Sequence, residues 1–152
     1  MSSSQSTAHS ISTEMYIKIG RLAFAIGITG MALQHFFFPG FRPVLIPAWP
    51  DWLPNPVPFV YFTSVVLILC SAFIVTPFQG KKASVLLGFF LLLLMILFHL
   101  PFRLANNPES LGSWTDDLKI LALAGGAFVI ARSFTFYEQE DSDPLGLYRW
   151  LE

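Results

Sequence analysis

The sequence predicts an all-α integral membrane protein, a four-helix bundle with both termini in the cytoplasm, and three observations carry that expectation. Hydrophobic residues make up 54% of the chain and charged residues only 12%, with mean hydropathy +0.59, against about 25% charged in an average soluble domain. Four apolar stretches approach membrane-crossing length, each bounded by charge or proline. Backbone groups in lipid must bond within their own segment, so four such stretches imply helices without a sheet. Sixteen Phe and a formal net charge of -1 leave too little polar surface for a water-soluble globule of 152 residues. The basic field that a nucleic-acid binder needs is missing.

Residues 1–14 open with MSSSQSTAHSIST, polar and without an apolar leader, and read as a disordered tail. The bilayer domain spans 15–136, with helices near 16–38, 57–76, 83–102 and 115–136. The first contains KIGRLAFAIGITGMALQHFFF, long enough for a ~30 Å hydrocarbon core at ~1.5 Å per residue. Lys18 and Arg21 stand at its start, where long side chains snorkel. The second is uncharged and stops at Pro77. The third holds the unbroken run VLLGFFLLLLMILF and ends at His99 and Pro101. The fourth has twelve uncharged residues, Ile120 to Ala131, between Lys119 and Arg132, and spans only by snorkelling at both ends. Residues 137–152 form an acidic cytoplasmic tail in which Leu147, Trp150 and Leu151 can rest on the membrane surface.

Orientation follows from the basic residues. Lys18, Arg21, Lys81, Lys82, Arg132 and Arg149 share the face of the termini, against Arg42, Arg103 and Lys119 on the other. The positive-inside rule makes the first face cytoplasmic. The outer face then carries two long connections, with Trp49, Trp52 and Trp114 as an interfacial belt. Small residues are expected at helix seams: Gly20, Gly27 and Gly30 in the first helix, and Ala122, Ala124, Gly125, Gly126, Ala127 and Ala131 in the fourth.

Candidate functional residues gather at one depth, the outer helix ends. Gln34 and His35 close the first helix, His99 and Arg103 the third, while Asp116, Asp117 and Lys119 open the fourth, and Asp51 can join from the loop. Ionisable groups near spans are costly and therefore candidate sites. A pocket with Gln34, His35, His99, Arg103, Asp117 and Lys119 offers imidazoles for proton exchange and cations for a carbonyl or anion. A quinone headgroup, a lipid headgroup or a small oxyanion fits that chemistry. A plainer reading stands beside it. Thr115 caps the fourth helix, Asp116 and Asp117 complement its dipole, and Lys119 pairs with Asp116. The two histidines also head a short internal echo, His-x3-Pro-Gly-Phe-Arg from His35 against His-Leu-Pro-Phe-Arg from His99. Nothing in the sequence supports a haem, flavin or metal site. Cys70, the one cysteine, lies mid-span and reads as a packing residue.

Ile19-Gly20-Arg21-Leu22, Gln34-His35-Phe36, Tyr61-Phe62-Thr63, Gly80-Lys81-Lys82-Ala83, Phe98-His99-Leu100-Pro101 and Trp114 to Lys119, followed by Leu121 to Ala127, resemble the DoxX-like family of small four-helix bacterial membrane proteins. The resemblance runs from about Ile17 to Phe134 and is to the branch with a Gln-His-Phe signature. Ile120 departs from the Asn that many members carry after the fourth-helix Lys. The resemblance implies the cell inner membrane and an accessory or binding subunit of a quinone-linked redox system, with membrane oxidoreductase subunits or a second copy of the chain as partners beside the lipid bilayer. It supplies no catalytic residues. A small-solute carrier or channel and a structural scaffold for larger membrane subunits are the alternative readings.

Overall fold

A computed structural model describes residues 2–38, 40, 43–47, 49, 53–76, 79–106 and 108–142, with side chains between Thr13 and Phe134. Four helices run up and down: α1 over Ser2–Phe37, α2 over Val57–Ile74, α3 over Gly80–Asn106 and α4 over Thr115–Ser142. A short 3-10 turn, Leu111–Trp114, leads into α4. No strand occurs among the described residues. Three helices are long and apolar enough to cross a membrane: α1 from Thr13, α2 and α3. The fourth, held between Lys119 and Arg132, is not among them.

Two helix boundaries depart from expectation at the polar ends of the chain. Helix α1 begins at Ser2 where a disordered tail is expected, and α4 continues to Ser142, into the acidic segment. Extending an existing helix adds one hydrogen bond per residue fixed, so a stable span propagates into flanking polar sequence that could not nucleate alone. The tail from residue 143, with Arg149, Leu147, Trp150 and Leu151, lies outside the described residues, as do Arg42, Asp51 and Trp52.

Each helix buries one narrow stripe. Ala25, Ile28, Ala32 and His35 face inward from α1, and Val60, Ser64, Leu67, Ser71 and Ile74 from α2. Ala83, Leu87, Leu91 and Leu94 do so from α3, and Asp117, Ile120, Ala124, Ala127, Ala131 and Phe134 from α4. Steps of three and four are the signature of helix packing at 3.6 residues per turn. The opposite faces expose Ile19, Ile26, Phe37, Phe62, Leu69, Phe89, Leu93, Ile96, Leu118 and Val129. So much exposed apolar surface would aggregate in water but matches hydrocarbon. Neighbouring helices pack in chain order, α3 with α4 and α1 with α2 most extensively, and α2 joins the two pairs.

The seams use some of the small residues the sequence predicts, Ala124, Ala127 and Ala131 being buried there, but not all of them. Gly20, Gly27, Gly30 and Gly125 have open space where a side chain would stand, and Ala122 is exposed. The close approaches are ring-into-glycine contacts: Phe134 covers Gly80, Phe128 covers Gly88 and Phe24 covers Gly126. Large Phe rings need a gap on the facing backbone, and glycine supplies it. A Cβ added at Gly88 would lie 2.7 Å from the Phe128 ring, itself held edge-on by Phe89 at 5.3 Å. Gly88→Ala is therefore expected to destabilise the bundle by about 1–3 kcal/mol through overpacking. Gly125→Ala, into open space, is expected to be neutral or to stabilise by up to about 1 kcal/mol from helix propensity. Unfolding midpoints in one detergent check the pair, and equal effects would overturn the assignment.

Helix α1 also meets α4 near the terminal end. Arg21 Nε donates to Ser133 Oγ at 2.9 Å, and its guanidinium carbon stands 3.6 Å from the centroid of the Phe134 ring. Arg21 thus acts as a link between the first and last helices, in addition to any snorkelling.

Candidate functional site

At the other end of the bundle, α3 departs from regular α geometry. Pro101 has no N–H for the carbonyl four residues back, and its ring crowds that carbonyl. The chain answers with a π-helical turn over Met95–His99, in which the Leu100 N–H donates to Met95 O, five residues back. The helix then survives the proline and continues to Asn106, beyond the end expected near 102. The extra residue also shifts the inward stripe. Regular spacing from Leu91 and Leu94 would turn Phe98 to the core, but the stripe steps by five to His99, which is fully buried.

One turn further on, Arg103 reaches the same carboxylate as His99. Arg103 Nε donates to Asp117 Oδ2 at 2.7 Å, and His99 Nδ1 stands 3.2 Å from Asp117 Oδ1. The side chains of His99 and Asp117 are 0% and 1% exposed, and that of Arg103 13%. A carboxylate so buried is tolerated only when its charge is balanced, and the guanidinium does this. Both His99 nitrogens and Asp117 Oδ1 are buried and make no hydrogen bond among the described residues, so His99 meets the carboxylate by proximity alone.

The connection between α1 and α2 folds over this end. Leu45 and Ile46 are buried in the main hydrophobic cluster. Trp49 stacks on Phe98 of α3 at 5.9 Å and meets Phe59 of α2 at a tilt at 5.2 Å, and its indole N–H donates to Pro54 O at 2.9 Å. Trp49 is thus part of a cover over the helix ends, beyond the interfacial belt expected of it. Trp114 holds the second connection by donating to Pro108 O at 3.0 Å. A shallow depression lined by Asn106, Pro108, Glu109 and Ser110 includes none of the cluster residues.

Of the six candidate side chains, the structure brings together His99, Arg103 and Asp117. His35 is fully buried at the same end of the bundle, on α1. Gln34 is exposed and takes no part. Lys119 points away from the cluster and pairs with Asp116 at 2.9 Å, as its three-residue spacing predicts. The aspartates therefore divide. Asp116 belongs to the helix surface, while Asp117, one residue on, turns 100° inward to serve α3. Thr115 does not cap α4 as expected, because its hydroxyl donates back to Gly112 O at 2.7 Å, in the 3-10 turn.

Sequence reasoning missed Leu45 and Ile46, whose signal is an apolar pair among prolines in a loop otherwise expected at the interface. Within the spans, Ser64, Ser71 and Ser84 are buried, but each hydroxyl donates to the carbonyl four residues back, at 2.7–2.8 Å. Cys70 is buried in the core, in keeping with a packing role. Among the described residues, no three His, Cys, Asp or Glu side chains stand close enough to hold a metal ion.

No family model matches the chain, and neither curated proteins nor solved structures include a significant match.

Proposed function

We propose that this membrane protein is a DoxX-like accessory or binding subunit of a quinone-linked redox system in the bacterial inner membrane, with its termini in the cytoplasm and its histidine end outside. The observation that carries the reading is the buried His99–Asp117–Arg103 cluster, in which both imidazole nitrogens are without a hydrogen bond among the described residues. Intramembrane ionisable groups that a fold goes to the trouble of pairing are candidate ligand sites. The location supports an amphiphile, because a headgroup arriving along the lipid meets the helix ends at this depth. The excess of Lys18, Arg21, Lys81, Lys82, Arg132 and Arg149 over Arg42, Arg103 and Lys119 supports the orientation. The serine hydroxyls inside the spans are engaged by their own helices, which favours binding at one end over conduction through the bundle.

The test is purification in a mild detergent and analysis of the organic extract. A quinone or quinol is expected to copurify with the native chain and to fall at least about tenfold in the His99→Ala variant, the loss typical of one strong polar contact. Phospholipid alone, or an extract unchanged by His99→Ala, would overturn the proposal.

A further inference from the structure

Arg103 and Asp117 sit in helices of unequal fitness for the bilayer. Helix α2 is uncharged over its eighteen residues, and α3 carries no Lys, Arg, Asp or Glu from Ala83 to Phe102. Helix α4 has only twelve uncharged residues, Ile120 to Ala131, about 18 Å of helix against a hydrocarbon core of about 30 Å. The charges around that segment are not equivalent. Lys119 and Arg132 have long stems that carry charge toward water, and Lys119 pairs with Asp116 on the helix surface. Asp117 is short, turned inward and 1% exposed, so it does not snorkel. Leu100 and Leu104 of α3 and Leu118 and Leu121 of α4 are exposed on either side of the pair, which puts lipid-facing surface at its depth.

An unpaired aspartate is among the most costly residues in a segment entering a membrane. Here Arg103 of α3 supplies the counter-charge, with its Nε 2.7 Å from Asp117 Oδ2. The contact of α3 with α4 is the most extensive in the bundle, and Phe128 on Gly88 and Phe134 on Gly80 hold the register at which the pair meets. We propose that α4 is a dependent span, retained in the bilayer by docking on α3, with Arg103 as the counter-charge that lets Asp117 enter. Without Arg103 the short apolar segment fails to stop in the membrane, and the tail after α4 crosses to the side opposite the N-terminus. This dependence holds whether or not a ligand binds at the same end of the bundle.

The side of each terminus is read in whole bacterial cells by fusing the full chain to a fluorescent protein, active only in the cytoplasm, or to alkaline phosphatase, active only outside it. A fusion at the N-terminus fixes the orientation of the bundle, and the C-terminal fusions are scored relative to it. Both ends of the native chain are expected on one side. Arg103→Ala is expected to raise the ratio of opposite-side to same-side signal at the C-terminus at least about tenfold, which takes only part of the cost of one unpaired aspartate. Asp117→Ala breaks the same pair but makes α4 more apolar, so its tail is expected to stay on the native side, as is that of the double variant Arg103→Ala with Asp117→Ala. A folding defect alone would move the two single variants together. An Arg103→Ala tail that stays in place, or an Asp117→Ala tail that crosses, would overturn the proposal. A native tail opposite the N-terminus would overturn it as well.

Discussion

Asp117→Ala is expected to destabilise the protein by about 3–5 kcal/mol, the range for removing one partner from a buried ion pair. The loss is large because Asp117 serves two groups. Without it, the Arg103 guanidinium, 13% exposed, has no counter-charge among the described residues, and His99 loses the oxygen 3.2 Å from Nδ1. Polar contacts between membrane helices average only about 0.6 kcal/mol, so the magnitude itself discriminates. A loss below about 1 kcal/mol would place Asp117 among those ordinary contacts and overturn the buried-pair assignment. The double replacement Arg103→Met with Asp117→Leu is expected to recover most of the loss, because apolar residues of similar volume often replace buried pairs without penalty. Unfolding of the three variants in one detergent, against the native chain, measures both effects.

Leu45→Ala is expected to cost about 2–5 kcal/mol, as for a leucine removed from a packed core. Leu45 lies in a connection between helices, where surface substitutions ordinarily change stability by less than about 0.5 kcal/mol. Its side chain is nevertheless 0% exposed, and with Ile46 it belongs to the same cluster as Ile28, Leu67, Leu91 and Ile120. The same unfolding measurement decides between the two expectations. A result near the surface value would mean that the connection is not seated on the bundle.

Much of the fold is legible along the chain because the bilayer demands so much of it. A segment such as VLLGFFLLLLMILF has one stable state in lipid, a helix whose backbone bonds are all internal. The existence of the first three helices therefore follows from hydropathy, and so does the placement of both histidines at one end of the bundle. The Lys119–Asp116 pair was equally legible, being local in sequence. The seams were not. A glycine is a packing site only if another helix arrives there, and no local feature distinguishes Gly88, filled by Phe128, from Gly27, which faces open space. The inward turn of His99 was hidden too, because it depends on how α3 resolves Pro101. A regular helix would have presented Phe98, and the π-helical turn reverses that choice.

The sequence by itself determined the solvent, the number of helices, their alternation and the end at which polar groups collect, since each follows from the energetic demand that hydrocarbon places on every residue separately. Which of those polar groups act together was decided by the tertiary structure. Gln34 and Lys119 share the depth of His99 but not its surroundings, whereas Asp117 meets Arg103, fourteen residues earlier in the chain. That meeting depends on the rotation of two packed helices about their axes, a quantity set by rings seated on glycines and by one proline. Charge pairing in a medium that cannot solvate it then holds the arrangement in place.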